Sequence, residues 1–465
     1  MEKRSLKYFA ESCDGVLAEG APETTATGIS TDSRSVRAGE MFVALRGERF
    51  DGHDYLDEVF KKGAVAAVVE ESWFGNVKTR NSAMPGGAYI VVRNTREALG
   101  KIAARYRQDF NIPVIAVCGS NGKTTTKELI ASVLGVKFNV LKSAASFNND
   151  IGVPLTLLNL GSEHRVAVVE AGTNHPGELR PLLQIIKPKF GVITSIGREH
   201  LGFFKSMDGV VEEEGQIAEC LPADGKLYIH VNNEWAEKIL HRRGAPVVIT
   251  IGSGGTLNWR ANVLHSTLSG TKFAVESNFI EYNGEYEVPL TGRHQATNAL
   301  IAIAIGAEFG LSKAEIQRGL LNVTQPSMRM QIEDWNGVRI LNDAYNANPD
   351  SMAAALTWLS GLDCAGKKIA VIGTMAELGE HSEHEHEEIG KLVADLKIDI
   401  IFAIGEFAEC VARGARKSGN KNVEIFEKPE EVAERLKQIC SENDIVLIKA
   451  SRSARLEQIV KILKS

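Results

Sequence analysis

The chain has 465 residues, of which 44% are hydrophobic and 24% charged, and a formal net charge of −6. That balance fits a soluble globular protein of about three domains and excludes the global basic footprint of a nucleic-acid binder. No apolar run is long enough to span a bilayer, no signal-peptide core opens the chain, and six scattered cysteines form no Cys-x-x-Cys pair. A cytoplasmic protein with reduced thiols, no membrane insertion and no zinc site is therefore expected.

Residues 1–98 mix short β-runs with turns, for example Met41 to Leu45, Ala64 to Val69 and Ala88 to Val92. Between the runs lies the polar cluster Thr31, Asp32, Ser33 and Arg34, followed by Asp51-Gly-His53. One arginine in a polar turn can bind an anion or a sugar hydroxyl, but on its own the cluster reads first as a surface turn.

Residues 99–325 form the second unit. The apolar run Val114 to Cys118 feeds the turn Gly119, Ser120, Asn121, Gly122. Lys123, Thr124 and Thr125 follow and open a helical pattern with Leu129, Ile130, Val133 and Leu134 on one face. Strand, glycine-rich turn, Lys-Thr and helix make a phosphate cradle. Backbone N–H groups and the helix N-terminus hold the anion, Lys123 adds a point charge, and the Thr124 hydroxyl can hold Mg²⁺. Two more β-runs end in polar residues, Val166 to Val169 at Glu170 and Phe190 to Thr194 before His200. Ligands of parallel α/β sheets sit beyond the carboxyl ends of the strands, so Lys123, Glu170 and His200 should gather at one edge. The stretch from 255 to 290 reads as β-rich, and Gly292-Arg-His leads into an apolar helix carrying Asn298.

Residues 326–465 form a third unit. The runs Lys368 to Gly373, Asp399 to Gly405 and Asp444 to Lys449 are each followed by a small-residue turn and a helical pattern. This is another doubly wound α/β domain. The run Glu380 to Glu388, rich in His and Glu, reads as a solvent-facing helix start rather than a metal site.

Gly119-Ser-Asn-Gly-Lys-Thr-Thr125, Asn148-Asn149-Asp-Ile-Gly, Glu170-Ala-Gly-Thr-Asn-His-Pro-Gly-Glu178, Gly292-Arg-His, Met328-Arg329, Asn342-Asp343-Ala-Tyr345-Asn346-Ala-Asn348-Pro and Lys449-Ala-Ser-Arg occur in that order. Together they resemble the Mur ligase family over the whole chain. Tyr345 to Pro349, followed by Met375-Ala-Glu-Leu-Gly379, is similar to the branch that adds a D-Ala-D-Ala dipeptide. The resemblance implies three α/β domains: a small mixed one for a UDP-sugar, a central P-loop ATPase, and a C-terminal Rossmann-like one. It implies ATP and Mg²⁺, UDP-MurNAc-tripeptide and D-Ala-D-Ala as substrates, and a monomer. It also implies roles. Lys123 grips the β/γ-phosphates; Thr124 and Glu170 hold one Mg²⁺ and His200 a second. Asn298, Arg329 and Asp343 contact ATP. Thr31 to Arg34 meet the UDP end, Asn148 and Asn149 the muramoyl-peptide, and Tyr345, Asn346 and Asn348 the dipeptide.

Three departures stand out. Gln295 follows His294 where the family usually has Asn, and Thr374 stands in place of an aspartate. The family also usually carries a carbamylated lysine about a dozen residues after the His-Leu motif. Here Glu214 occupies that place, after Glu212 and Glu213, and no lysine occurs between Lys205 and Lys226. Glu214 is thus expected to supply the ligand charge at the second Mg²⁺ without CO₂, with only one of the three glutamates facing the site. The competing expectations are the amino-acid-adding ligase one step earlier, whose Asp-Asn-Pro-Arg signature is absent, a folylpolyglutamate-synthase-like ligase, and a non-catalytic ATP switch on the same fold.

Overall fold

The computed structural model describes residues 1–79, 84, 86–240, 247–254 and 256–465. Among these residues the strands form four sheets. The first unit holds a five-stranded sheet, parallel except where Val16–Glu19 pairs antiparallel with Ala88–Val92. A two-stranded ribbon, Arg4–Ser5 with Thr25–Ala26, lies beside it.

The central sheet has nine strands. Parallel strands build it from Val140–Lys142 through Val166–Glu170, Val114–Cys118, Phe190–Ile193, Lys226–His230 and Val248–Gly252 to Trp259–Thr267. The β-rich stretch after residue 255 then adds Gly270–Ser277 and Gly284–Val288 antiparallel at one edge. The third unit's sheet is parallel but for its edge strand Gln331–Trp335.

The continuous apolar runs follow from burial on both faces. Val114, Ala116 and Cys118 enter one core, and Ile115 and Val117 enter the other, as a two-residue repeat requires. In the third unit Leu447 faces one layer while Val446 and Ile448 face its opposite. The first of these cores does not stop at the unit's edge. Leu6, Phe9, Ile102 and Tyr106 share it with Leu157, Leu160 and Leu183 of the central unit. The helix Thr95–Gln108 makes that junction, capped by Asn94, whose side chain accepts from the Arg96 and Glu97 N–H groups.

One sequence expectation shifts. The histidine- and glutamate-rich run does start a helix, Ser382–Asp395, but Glu385 and His386 are buried rather than solvated. His386 accepts the Met375 N–H at Nε2 and stacks on Phe407. Of the three consecutive glutamates, Glu212 is exposed while Glu213 and Glu214 are both buried, against different neighbours.

Candidate active site

Strand Val114–Cys118 lies inside the central sheet, third from the Val140–Lys142 edge, and the turn after it opens at the carboxyl ends of the parallel strands. Gly119 (φ 112°) and Gly122 (φ 86°) lie in the left-handed region. A Cβ on Gly119 would stand 2.6 Å from the Thr194 hydroxyl, and one on Gly122 would stand 2.8 Å from Asn298 Oδ1. Only glycine fits either place. The turn is laced to the next strand end: the Ser120 N–H donates to the Ser195 carbonyl, and the Asn121 N–H donates to Ser195 Oγ. Gly122 caps the helix Lys123–Leu134 with no side-chain bond, which leaves its first N–H groups open to an anion.

Lys123 folds over this turn. Its Nζ donates to the Gly119 carbonyl at 2.5 Å and lies 3.5 Å from Glu199. Burial works against the ammonium charge, but Glu199, Glu214 and Glu170 outweigh it and hold the pKa above the ordinary lysine value. Glu170 takes the Asn148 amide on Oε1 at 2.9 Å, and its backbone N–H donates to Ser143 Oγ. Its Oε2 makes no hydrogen bond and lies 3.9 Å from Lys127.

Glu214 lies behind the loop rather than on the cavity wall. Both its oxygens are buried and without a normal hydrogen bond. Burial first, then the charge of Glu199, pushes its pKa up to about 8; Lys123, Cys118 and the Gly119 N–H pull it the other way. Glu213 serves a different end. It accepts from the Gly177 N–H, the Leu179 N–H and the Thr173 hydroxyl, and so pins the loop before the helix Leu179–Ile186.

The third unit closes over the loop. Arg329 donates to Thr124 Oγ1 at 3.1 Å and stacks on Tyr345. Asp343 accepts from Lys449 at 2.5 Å and from the Met330 N–H. Asn348 donates to Asn121 Oδ1 at 3.0 Å. Glu377 contacts His200 Nδ1, and its carbonyl accepts the Gly202 N–H. The cavity between the units holds about 1370 Å³, with Lys123, Glu170, His200, Asn298, Arg329 and Asp343 on its wall. Asn148, Asn149, Tyr345, Asn346 and Asn348 also line it. Asn149, however, accepts the Gly152 N–H as a helix-start partner. Gln295 bridges His294 and Asn298, filling the departure from the usual asparagine with both amide functions.

Thr31, Asp32, Ser33 and Arg34 are not brought to this cavity. Asp32 and Arg34 pair with each other instead, and the guanidinium's hydrogen bond lowers the Asp32 carboxyl to about 2. The sequence reading assigns no role to Lys127, Glu199 and Arg198, nor to Glu377 and Lys449 inside the motifs that contain them. Lys127 is fully buried and donates to the Ser143 and Ala145 carbonyls, fixing the segment before Asn148. Its place one helical turn after Lys123 was the available signal.

Among the described residues, no three His, Cys, Asp or Glu side chains form a metal cluster by themselves, and no helix is long and apolar enough to cross a membrane. Glu170, Glu199 and Glu214 each keep a buried carboxylate oxygen without a hydrogen-bond partner, and of the three only Glu170 lies on the cavity wall, where that oxygen fits one ligand of a divalent cation otherwise held by phosphate and water.

Three family models match in order. "Mur ligase family, catalytic domain" covers residues 25–107, "Mur ligase middle domain" covers 117–306, and "Mur ligase, glutamate ligase domain" covers 328–452. The UDP-N-acetylmuramoyl-tripeptide–D-alanyl-D-alanine ligase of Bacillus subtilis (strain 168) is 36% identical over 100% of this chain and 99% of its own length. The crystal structure of MurF from Acinetobacter baumannii superposes with a TM-score of 0.88 at 28% identity, over 100% of both chains. That of the MurF ligase of Thermotoga maritima in complex with ADP gives 0.80 at 26% identity, over 94% of this chain and 97% of that one.

Proposed function

This chain belongs to the Mur ligase family, and on that premise we propose that it joins D-Ala-D-Ala to UDP-MurNAc-tripeptide at the expense of ATP, in peptidoglycan precursor synthesis. The observation that carries the reading is the phosphate loop opening into a cavity shared with the third unit's Arg329, Asp343 and Tyr345–Asn348 segment. A carboxylate is a poor electrophile. Transfer of the ATP γ-phosphoryl group to the terminal carboxylate of the tripeptide supplies a leaving group. The dipeptide amine then attacks the acyl phosphate, and ADP and phosphate depart.

The residues have definite tasks. Lys123 holds the β/γ-phosphates against the open N–H groups of the turn. Asn298, Arg329 and Asp343 hold the rest of ATP. Asn148 and Asn149 meet the muramoyl-peptide, and Tyr345, Asn346 and Asn348 orient the dipeptide. Thr31 to Arg34 meet the UDP end, with Arg34 leaving Asp32 for the diphosphate. Thr124, Glu170, His200 and Glu214 would hold Mg²⁺, which neutralises phosphate charge when bound. Glu214 provides a carboxyl group at the place where the family resemblance leads one to expect a carbamylated lysine. By this reading, residues 1–98 take the UDP-sugar, 99–325 take ATP, and 326–465 bring the dipeptide. The enzyme works as a cytoplasmic monomer.

The test is ADP release with UDP-MurNAc-tripeptide and a panel of amines. Turnover with D-Ala-D-Ala, and not with lysine, diaminopimelate or glutamate, supports the reading. Turnover with one of those instead assigns a neighbouring ligase step, and ATP binding without amine-dependent turnover assigns a switch.

A further inference from the structure

Arg198 stands in the turn between the strand Phe190–Ile193 and His200. Its backbone N–H donates to Asp350 Oδ2 at 2.6 Å, and its Nε and Nη2 donate to Asp350 Oδ1 at 2.9 and 2.7 Å. Nη1 donates to Glu385 Oε2 at 2.8 Å. Both acceptors belong to the third unit. Asp350 lies in the first turn of the helix Pro349–Ser360, where the helix dipole favours a carboxylate. Glu385 is nearly enclosed, with 10% of its side chain exposed. The turn is shaped for this approach: a Cβ on Gly197 would lie 2.4 Å from Asp350 Oδ2.

The same few residues reach the reaction centre from both sides. Gly197 exchanges hydrogen bonds with Ser120 of the phosphate loop, and His200 follows three residues later. Asn348, two residues before Asp350, donates to Asn121 of the loop. Yet Arg198 and Glu385 do not line the cavity, whereas Asp350 does.

We propose that Arg198, through Asp350 and Glu385, is a positioning residue that locks the third unit onto the phosphate loop. The proposal rests on the ligase reading given above. An acyl phosphate held by the central unit and an amine held by the third unit must meet in near-attack geometry, where an error of about 1 Å costs about a hundredfold in rate. A guanidinium fork fixes direction as well as distance, which an ammonium does not. Two carboxylates from two different helices then define how the third unit seats, without either helix having to touch the phosphates.

The test uses Arg198→Met, Arg198→Lys and Glu385→Gln in the full chain, each checked by its thermal midpoint. X-ray scattering is recorded with and without a non-hydrolysable ATP analogue and UDP-MurNAc-tripeptide. The wild type should reach a compact form with ligands. Arg198→Met should stay more extended, Glu385→Gln should show the same defect in part, and Arg198→Lys should fall between. In steady-state kinetics, kcat should drop about tenfold or more in Arg198→Met while KM for ATP stays within about threefold. The double variant Arg198→Met/Glu385→Gln should be no worse than Arg198→Met alone, because both act through one contact. Wild-type compaction and wild-type kcat in Arg198→Met would overturn the proposal. So would a kcat loss that follows a lowered thermal midpoint, or additive effects in the double variant. If the wild type itself shows no amine-dependent turnover, the ligase reading fails while scattering still reports on the lock.

Discussion

Lys123 donates to its own loop and lies within ion-pair distance of Glu199, and the acidic groups around it hold its pKa above the ordinary lysine value, so its charge is present before any nucleotide arrives. Its removal should therefore act on chemistry rather than folding. Lys123→Ala should lower kcat by orders of magnitude with a near-unchanged far-UV spectrum, as expected when a phosphoryl-stabilising charge is lost. Near-wild-type turnover would remove the phosphate-loop assignment. Glu214 poses a sharper question. Its carboxylate is sealed behind the loop with no donor of normal geometry, a costly arrangement unless a cation or a proton occupies it. Glu214→Gln should raise the Mg²⁺ concentration needed for half-maximal rate and lower kcat, and bicarbonate removal should leave the wild type unchanged. A silent Glu214→Gln, or activity that needs added bicarbonate, would show that the second cation site is assembled without this residue.

At the scale of elements, neighbouring glutamates do different work because a helix turns by about 100° per residue. Glu213 faces the Thr173–Leu179 loop and accepts from the Gly177 and Leu179 N–H groups, of which the buried Leu179 one would otherwise be orphaned. Glu213→Ala should cost about 1–3 kcal/mol, as expected for stranding the buried Leu179 N–H. Glu212→Ala, at an exposed site, should stay within about 0.5 kcal/mol. Urea unfolding of the two variants checks both; equal effects would mean that the capping bonds add nothing. The phosphate loop was legible in the sequence because strand run, two glycines, Lys-Thr and helix face are all local. The edge where Glu170 and His200 gather was legible from strand ends. Glu199, Arg198, Glu377 and Lys127 were not, since each takes its meaning from a partner on another element. The Thr31 to Arg34 cluster was conspicuous for its composition, yet its main charges are satisfied within the turn.

The units of the whole molecule are not equally independent. The first and central units share one apolar core, and the boundary read at residue 98 falls inside the helix Thr95–Gln108 that builds the junction. Tyr106, fully buried on that helix, donates to the Leu160 carbonyl at 2.7 Å and accepts the Glu2 N–H at 2.8 Å. One phenol thus ties the chain's second residue to the central unit. The third unit has its own two apolar layers, and much of its contact with the phosphate-loop edge is polar: Arg329 to Thr124, Asn348 to Asn121, Arg198 to Asp350 and Glu385. A shared apolar core couples unfolding, whereas polar contacts at a cleft leave units free to melt separately. Calorimetry of the ligand-free chain should therefore show two transitions, one for the first and central units together and one for the third. Tyr106→Phe should lower the midpoint of the joint transition alone, since it leaves a carbonyl and an N–H without their partner at about 1–3 kcal/mol each. A fragment of residues 1–98 should fail to fold cooperatively, because it loses the helix that covers Leu6 and Phe9. Three separable transitions, or a stable 1–98 fragment, would mean that the shared core does not couple the two units.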